Sequence, residues 1–314
     1  MARVSCVLLL ASALLACASQ GPLISPPVPP RVAEKRDAAL QQKIETLTKD
    51  FGGGIGVYVH NLRTGATVEI AADDTFPTAS MVKVPLLIAL FDQAAQGRLQ
   101  LDSMYVFSDS SAVQADGDDM MAQVRLGSKF TLRKMAYMMT GFSDNTASVW
   151  IQSLIGGSQV ANAWLEAHGY KVTRDNSRLP DRRPIWRIWG WGMTSPREMS
   201  MLLMNIRRGE VVSVAASEEM YNLLTHNYWK DDALSGIPPW VQAANKSGSV
   251  DASRSEAMLV NAPNGDYVVT VATKNIKDRS YGLDNEAAIL LRKVSWTVYH
   301  HFNPRDEWRP VWMR

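Results

Sequence analysis

One serine in this chain has a lysine three residues on, in Ser80-Met81-Val82-Lys83, which follows Phe76-Pro77-Thr78-Ala79. On a helix, positions i and i+3 share a face, so the spacing brings the Lys83 amine to the Ser80 hydroxyl. A serine hydroxyl is a weak nucleophile until a base removes its proton. A lysine serves as that base when burial or another cation lowers its pKa. Ser80 also lies near the expected helix start, where free N–H groups and the dipole favour negative charge. The pair alone is a weak signal, because composition produces such matches by chance; a surface Ser and Lys is the plain alternative.

Two further short segments offer chemistry. Ser143-Asp144-Asn145 follows Gly141-Phe142 and precedes a helix expected from Thr146. All three residue types are good helix caps, so capping is its plain alternative. Lys246-Ser247-Gly248-Ser249 stands at the end of an expected strand, and there the alternative is a strand running into a turn. Other chemistries are disfavoured. No Gly-x-Ser-x-Gly occurs, and the five histidines, at 60, 168, 226, 300 and 301, have no metal-ligand spacing. Two cysteines exclude a cysteine-based zinc or iron–sulfur site.

The elements that must position these residues follow from periodicity. Leu40, Ile44 and Leu47 recur at helical spacing in 38–51, which ends at Gly52-Gly53-Gly54. Residues 55–61 and 66–71 read as strands joined by a hairpin at Arg63-Thr64-Gly65. A helix is expected over 80–96, with Gly97 as its stop. Residues 131–204 are rich in Leu, Met and Ala at helical spacing, broken near 141, 156 and 175–196. Strands are expected at 241–246, 257–261 and 267–273, and a closing helix at 287–302 capped by Asp284 or Asn285. One economical packing is an α+β fold, with a five-stranded antiparallel sheet, terminal helices on one face and an all-helical subdomain beside it.

Order and spacing of the three motifs together resemble the class A β-lactamases and the penicillin-binding proteins. The resemblance covers most of residues 37–303 and includes the 55–71 hairpin, the Phe-Pro-Thr-Ala-Ser approach, the Arg254-Ser255-Glu256 step and the closing helix. It implies a β-lactamase/transpeptidase-like fold, with a sheet subdomain at 37–79 and 205–303 and a helical subdomain at 80–204. It implies that Ser80 is the acylated nucleophile, Lys83 its proton partner and Ser143 the relay to the leaving nitrogen. Asn145 would bind the substrate amide and Lys83, and Lys246 would set the potential near Ser143. Ser247 and Ser249 would hold the substrate carboxylate, with Arg254 as helper. The backbone N–H groups of Ser80 and Ser249 would form the oxyanion hole, pointing to where negative charge develops. The implied ligand is a β-lactam or a peptidoglycan-derived peptide, bound by a monomer without metal or cofactor.

One family residue is missing. Class A enzymes carry a Glu followed by Pro in the loop between the second and third motifs, where it activates the deacylating water. Here Leu179 precedes Pro180, and Arg183 stands where the family often has Asn. The carboxylates of 175–196 are Asp175 and Asp181. Leucine is no general base, and general-base catalysis contributes roughly 10²–10⁴-fold. Asp181 is the candidate substitute, though two positions on and shorter. The loop also gathers Trp186, Trp189 and Trp191 with Arg182, Arg183 and Arg187. The favoured reading is a loop packed by its own aromatics; the other is a surface for an aromatic or extended ligand.

Composition bounds the rest. With 33 Lys+Arg and 31 Asp+Glu the formal charge is +2, which leaves no electrostatic footprint for nucleic acid. Arg3 and the apolar run 4–16 have the shape of a secretory signal too short to span a bilayer. Its end, Leu14-Leu15-Ala16-Cys17, resembles a lipobox, so residues 1–17 are expected to direct export to the periplasm with lipidation at Cys17. Residues 18–36 read as a proline-rich tether and 304–314 as a C-terminal tail. Membrane contact is then expected only through the anchor. Three functions stay open: a β-lactamase with slow deacylation, an acyl-serine enzyme of the DD-peptidase kind, and a β-lactam binder without turnover.

Overall fold

A computed structural model describes residues 31–108 and 119–313. The chain enters through β1 (Lys35–Arg36) and α1 (Ala38–Thr48), then makes the hairpin β2 (Gly54–Asn61) and β3 (Ala66–Ile70). Asn61 closes that hairpin by accepting from the backbone N–H groups of Arg63 and Thr64, both at 3.0 Å. β4 (Phe76–Pro77) and a 3₁₀ turn (Ala79–Val82) lead into α2 (Lys83–Ala95). After β5 (Met104–Val106) and β6 (Lys129–Thr131) come α3 (Leu132–Gly141), α4 (Asn145–Leu154) and α5 (Ser158–Ala167). The next stretch holds β7 (Arg174–Asp175), α6 (Arg183–Trp189) and β8 (Gly192–Thr194). Helices α7 (Pro196–Arg207) and α8 (Val214–Thr225) follow. The chain closes with β9 (Ala243–Val250), β10 (Ser253–Val260), β11 (Tyr267–Lys274) and α9 (Glu286–Phe302).

The expected five strands form one antiparallel sheet, in the order β3-β2-β11-β10-β9. Alternate residues of each strand enter two different cores. Val57, Val59, Met258, Val269 and Val271 pack under α1 and α9, while Tyr58, Ala257, Leu259 and Val268 face the helical layer. Burial on both faces explains why these strands read as near-continuous apolar runs rather than as an alternation. α8 packs with α3, α7 and β9, so the helical side continues past residue 204 to Thr225. Asn285 caps α9 by accepting from the N–H groups of Ala287 and Ala288 at 3.0 and 3.1 Å. Among the described residues, no helix is long and apolar enough to cross a membrane.

Three expectations change. The tether was expected to run to residue 36, but its last residues dock on the domain. Lys35 and Arg36 pair in parallel with Ala66 and Thr67, and Tyr58 donates to Glu34 at 2.8 Å. The reason is that β3 lies at the sheet edge, where unpaired backbone groups accept a strand. The strand expected to stop at 246 runs on to Val250, with the third motif at its end, because Ser247, Gly248 and Ser249 pair with Glu256, Ser255 and Arg254. The expected loop at 175–196 contains the short α6, started by Pro184 in its first turn and stopped by Gly190 at φ +68°. The leader and most of the tether (1–30) lie outside the described residues.

Candidate active site

The nucleophile candidate stands on the 3₁₀ turn that opens α2, and Ala79 just before it holds φ +44°. Ser143 holds φ +58°. Non-glycine residues in this region cost of order 1–3 kcal/mol each and persist where surrounding structure imposes them. Here both strained residues flank the same lysine. Lys83 is fully buried, with its Nζ 3.0 Å from Ser80 Oγ, 2.7 Å from Asn145 Oδ1, 3.1 Å from Ser143 Oγ and 2.5 Å from the Ser143 carbonyl. The spacing read from sequence thus produces the contact, and the second motif closes on it from α4.

Burial holds the Lys83 pKa well below the usual lysine value, and the Lys246 cation adds to this, against the opposing pull of Asp119 and Asp144. Lys246 is itself fully buried, donates to the Ser247 carbonyl at 2.9 Å and is pushed down to about 8 by desolvation. Two buried lysines near one serine favour a neutral amine able to accept a proton.

Gly248 lets β9 approach the nucleophile turn. A Cβ there would lie 2.2 Å from the Thr78 carbonyl oxygen and 3.1 Å from the backbone nitrogen of Ser80. Only glycine permits this approach. Ser80, Ser143, Ser247 and Ser249 line one cleft of about 370 Å³, walled by Trp229 and Tyr281.

Arg254 is not brought to that cleft. Its guanidinium donates to the backbone carbonyls of Val250, Ser253, Arg279 and Ser280 and lies 4.1 Å from the centre of the Tyr281 ring. It positions the loop that carries Tyr281 instead of reaching for a carboxylate. Asp181 is likewise apart: it is exposed on the 3₁₀ turn Pro180–Arg182, outside the cleft. Asp175 is buried and accepts from Gln152 and the backbone of Ser177, both at 2.8 Å, so it holds the loop together. Neither loop carboxylate stands at the nucleophile. Trp186 and Trp191 line one cavity together with Ser177 and Arg178 of the same loop and with Val82, Leu86 and Gln152. Trp191 lies under Lys83 Nζ at 6.0 Å, Trp189 lies under Lys274 at 5.6 Å, and Trp186 is 45% exposed.

Two groups escaped the sequence reading. Asp119 accepts from the N–H groups of Asn145 and Thr146 at 3.0 and 2.8 Å and from the Thr146 hydroxyl at 2.9 Å. It thereby fixes the first turn of α4, with Asp144 accepting from Ala147 at 2.7 Å beside it. No local spacing announces a cap supplied from 26 residues away. Glu256 lines the cleft floor, accepts from Asn245 Nδ2 at 2.6 Å, and is pushed up to about 8 by burial and by Asp232. Its only sequence signal was its place after Arg254.

The site can therefore activate a serine hydroxyl, receive an acyl group and hand a proton between Lys83, Ser143 and a leaving atom. Residues 39–302 match the family described as the Beta-lactamase enzyme family. The chain is 20% identical to Beta-lactamase VEB-1 of Pseudomonas aeruginosa over 83% of this chain and 90% of that one. It is 25% identical to Beta-lactamase ROB-1 of Haemophilus influenzae over 74% and 75%. Among solved structures, PBP-A superposes with TM-score 0.77 at 27% identity, covering 88% of this chain and 100% of that one. A second structure, with TM-score 0.76 and 26% identity over 87% and 99%, is a Leu→Glu mutant of PBP-A as its acyl-enzyme with penicillin G.

Proposed function

The chain belongs to the β-lactamase enzyme family as a serine hydrolase, and on that premise we propose that β-lactams acylate it at Ser80 and leave slowly. The observation that carries this reading is the 3.0 Å contact of a buried Lys83 amine with Ser80 Oγ. Neutral Lys83 takes the Ser80 proton as Oγ attacks the lactam carbonyl. The developing oxyanion meets the backbone N–H groups of Ser80 and Ser249. The proton then passes through Ser143 to the leaving nitrogen, while Lys246 steadies the charge around Ser143. Asn145 orients Lys83 and offers its amide to the substrate, and Ser247 and Ser249 hold the substrate carboxylate.

Deacylation needs a base for water, and Leu179 is none. Asp181 is exposed and away from the cleft, which weighs against it as a substitute. The same features favour, as second reading, a DD-peptidase-like enzyme or a binder that stays acylated. The acyl-enzyme described for the PBP-A mutant makes penicillin G the natural probe. Intact mass followed after penicillin G addition separates the readings. A lasting adduct is expected; an adduct gone within seconds would refute slow deacylation, and no adduct would move the substrate away from β-lactams. The Arg3-to-Cys17 leader further supports export and lipidation at Cys17, checked by the mass of the mature N-terminus.

A further inference from the structure

The cleft that holds Ser80 has an acidic end. Asp231 and Asp232, just before the 3₁₀ turn Ala233–Gly236, line it with Glu256 of β10. Among the described residues, no lysine or arginine lines this cleft. Ser247 and Glu256 are cross-strand partners, so their side chains leave the sheet on the same face. In the acylation reading, Ser247 holds the substrate carboxylate, beyond the leaving nitrogen. The three acids therefore stand on the leaving side of the cleft.

Glu256 is the member that calls for a ligand. It is 1% exposed, and one oxygen, Oε1, accepts from Asn245. The other, Oε2, is buried and has no hydrogen-bond partner among the described residues. A buried carboxylate oxygen without a partner is costly. Burial and Asp232 push the Glu256 pKa up to about 8, although the Asn245 amide and, at longer range, the N–H groups of Ala233 and Leu234 favour the ionised form. Lys246 faces it from β9, but its amine donates to the Ser247 carbonyl. Burial also raises Asp232, with Asp231 adding to it, against Arg292 and Arg254. Those two guanidinium groups donate to backbone carbonyls, Arg292 to Asp231 and Leu283, and Arg254 to Val250 and Ser280. Among the described residues, none of the three carboxylates has an ion-pair partner.

We propose that this end of the cleft is a cation subsite: the leaving fragment of the preferred substrate carries an ammonium or pyridinium group that pairs with Asp232 and Glu256. The proposal rests on acylation at Ser80 as read above. A leaving fragment with only a carboxylate meets like charge here, and the Arg254 guanidinium that would offset it is tied to carbonyls. A cation supplies the partner that Oε2 lacks. Trp229 and Tyr281, 52% and 67% exposed, wall the same cleft and offer aromatic faces that attract cations.

The test compares two cephalosporins with the same thienylacetyl acyl group and the same ring carboxylate. Cephaloridine carries a pyridinium on the leaving side, and cephalothin carries a neutral acetoxy group there. Acylation of the full chain is timed by intact mass. Cephaloridine should acylate roughly tenfold faster or more, the size of one charge-assisted contact. Asp232→Asn and Glu256→Gln should each slow cephaloridine and speed cephalothin, pulling the ratio toward that of the two compounds in alkaline hydrolysis. Asp232 is only half-buried, so its variant keeps the test open should Glu256→Gln not fold; circular dichroism checks both. A wild-type ratio equal to the alkaline one, or a ratio that the folded variants leave unchanged, would overturn the proposal. Absence of an adduct with either compound would instead refute acylation at Ser80. Calorimetry on Ser80→Ala then decides the subsite alone: cephaloridine should bind about tenfold tighter than cephalothin, and equal affinities would overturn it.

Discussion

The two walls around Ser80 are built on opposite terms. On one side α2, α4 and β9 bury Lys83 and Lys246 completely and surround Lys83 with four oxygen contacts. On the other side, the loop over 173–196 presents Leu179, an exposed Asp181 and two tryptophans, Trp186 and Trp191, that line one cavity. The first wall gathers Ser80, Lys83, Ser143 and Asn145, the residues of the proposed acylation step. In the second, Leu179 stands before Pro180 and Asp181 lies outside the cleft. Burial explains the contrast: a neutral amine is stabilised by desolvation, which a dry wall supplies, whereas a water-activating carboxylate must be both present and close to the ester.

The largest effect that sharpens this contrast is Ser80→Ala. It should abolish any penicillin adduct by intact mass, and labelling that survives it would break the assignment of the first wall. Next is Leu179→Glu, which supplies the second wall with a base. Turnover of penicillin should rise by roughly 10²–10⁴-fold, the range of general-base catalysis, while the acylation rate changes little. Unchanged turnover would mean that the loop limits water by something other than the missing carboxylate.

Smaller, Gly248→Ala presses a methyl group on the Thr78 carbonyl at 2.2 Å. Overpacking of this kind costs about 1–3 kcal/mol, read as a lower melting temperature together with slower acylation. Wild-type melting and acylation would show that β9 has room to move.

The mildest test is pH. Acylation requires Lys83 neutral, and its pKa is held well below the usual lysine value, so the rate should already be high near neutrality. It also requires Lys246 charged. Deprotonation of Lys246 should therefore bring an alkaline fall through about 8. The two lysines face Asp119, Asp144 and Glu256, which oppose their downward shifts. A rate that keeps rising beyond that point would remove Lys246 from the acylation step.

Much of the first wall was legible because its residues lie close in sequence or on regular elements. Ser80 and Lys83 meet through a helical period, and α2, which carries Lys83, is a long apolar run from Val84 to Phe91. Arg254 shows the opposite case. Its place after the third motif suggested a substrate contact, yet its guanidinium is used by carbonyls from 250 to 280, a loop closure that no local pattern records. Asp119 was invisible for the same reason, since it caps α4 across 26 residues.

The sequence by itself determined the spacing of Ser80 and Lys83, the order of the three motifs, the sheet-and-helix architecture and the absence of a glutamate before Pro180. These rest on residue identity and short-range geometry, which the chain carries wherever it goes. Only the tertiary structure decided the burial of Lys83, the work of Arg254 and the exposure of Asp181. Each depends on what is packed around a side chain, and desolvation and long-range hydrogen bonds exist only once the chain has closed on itself.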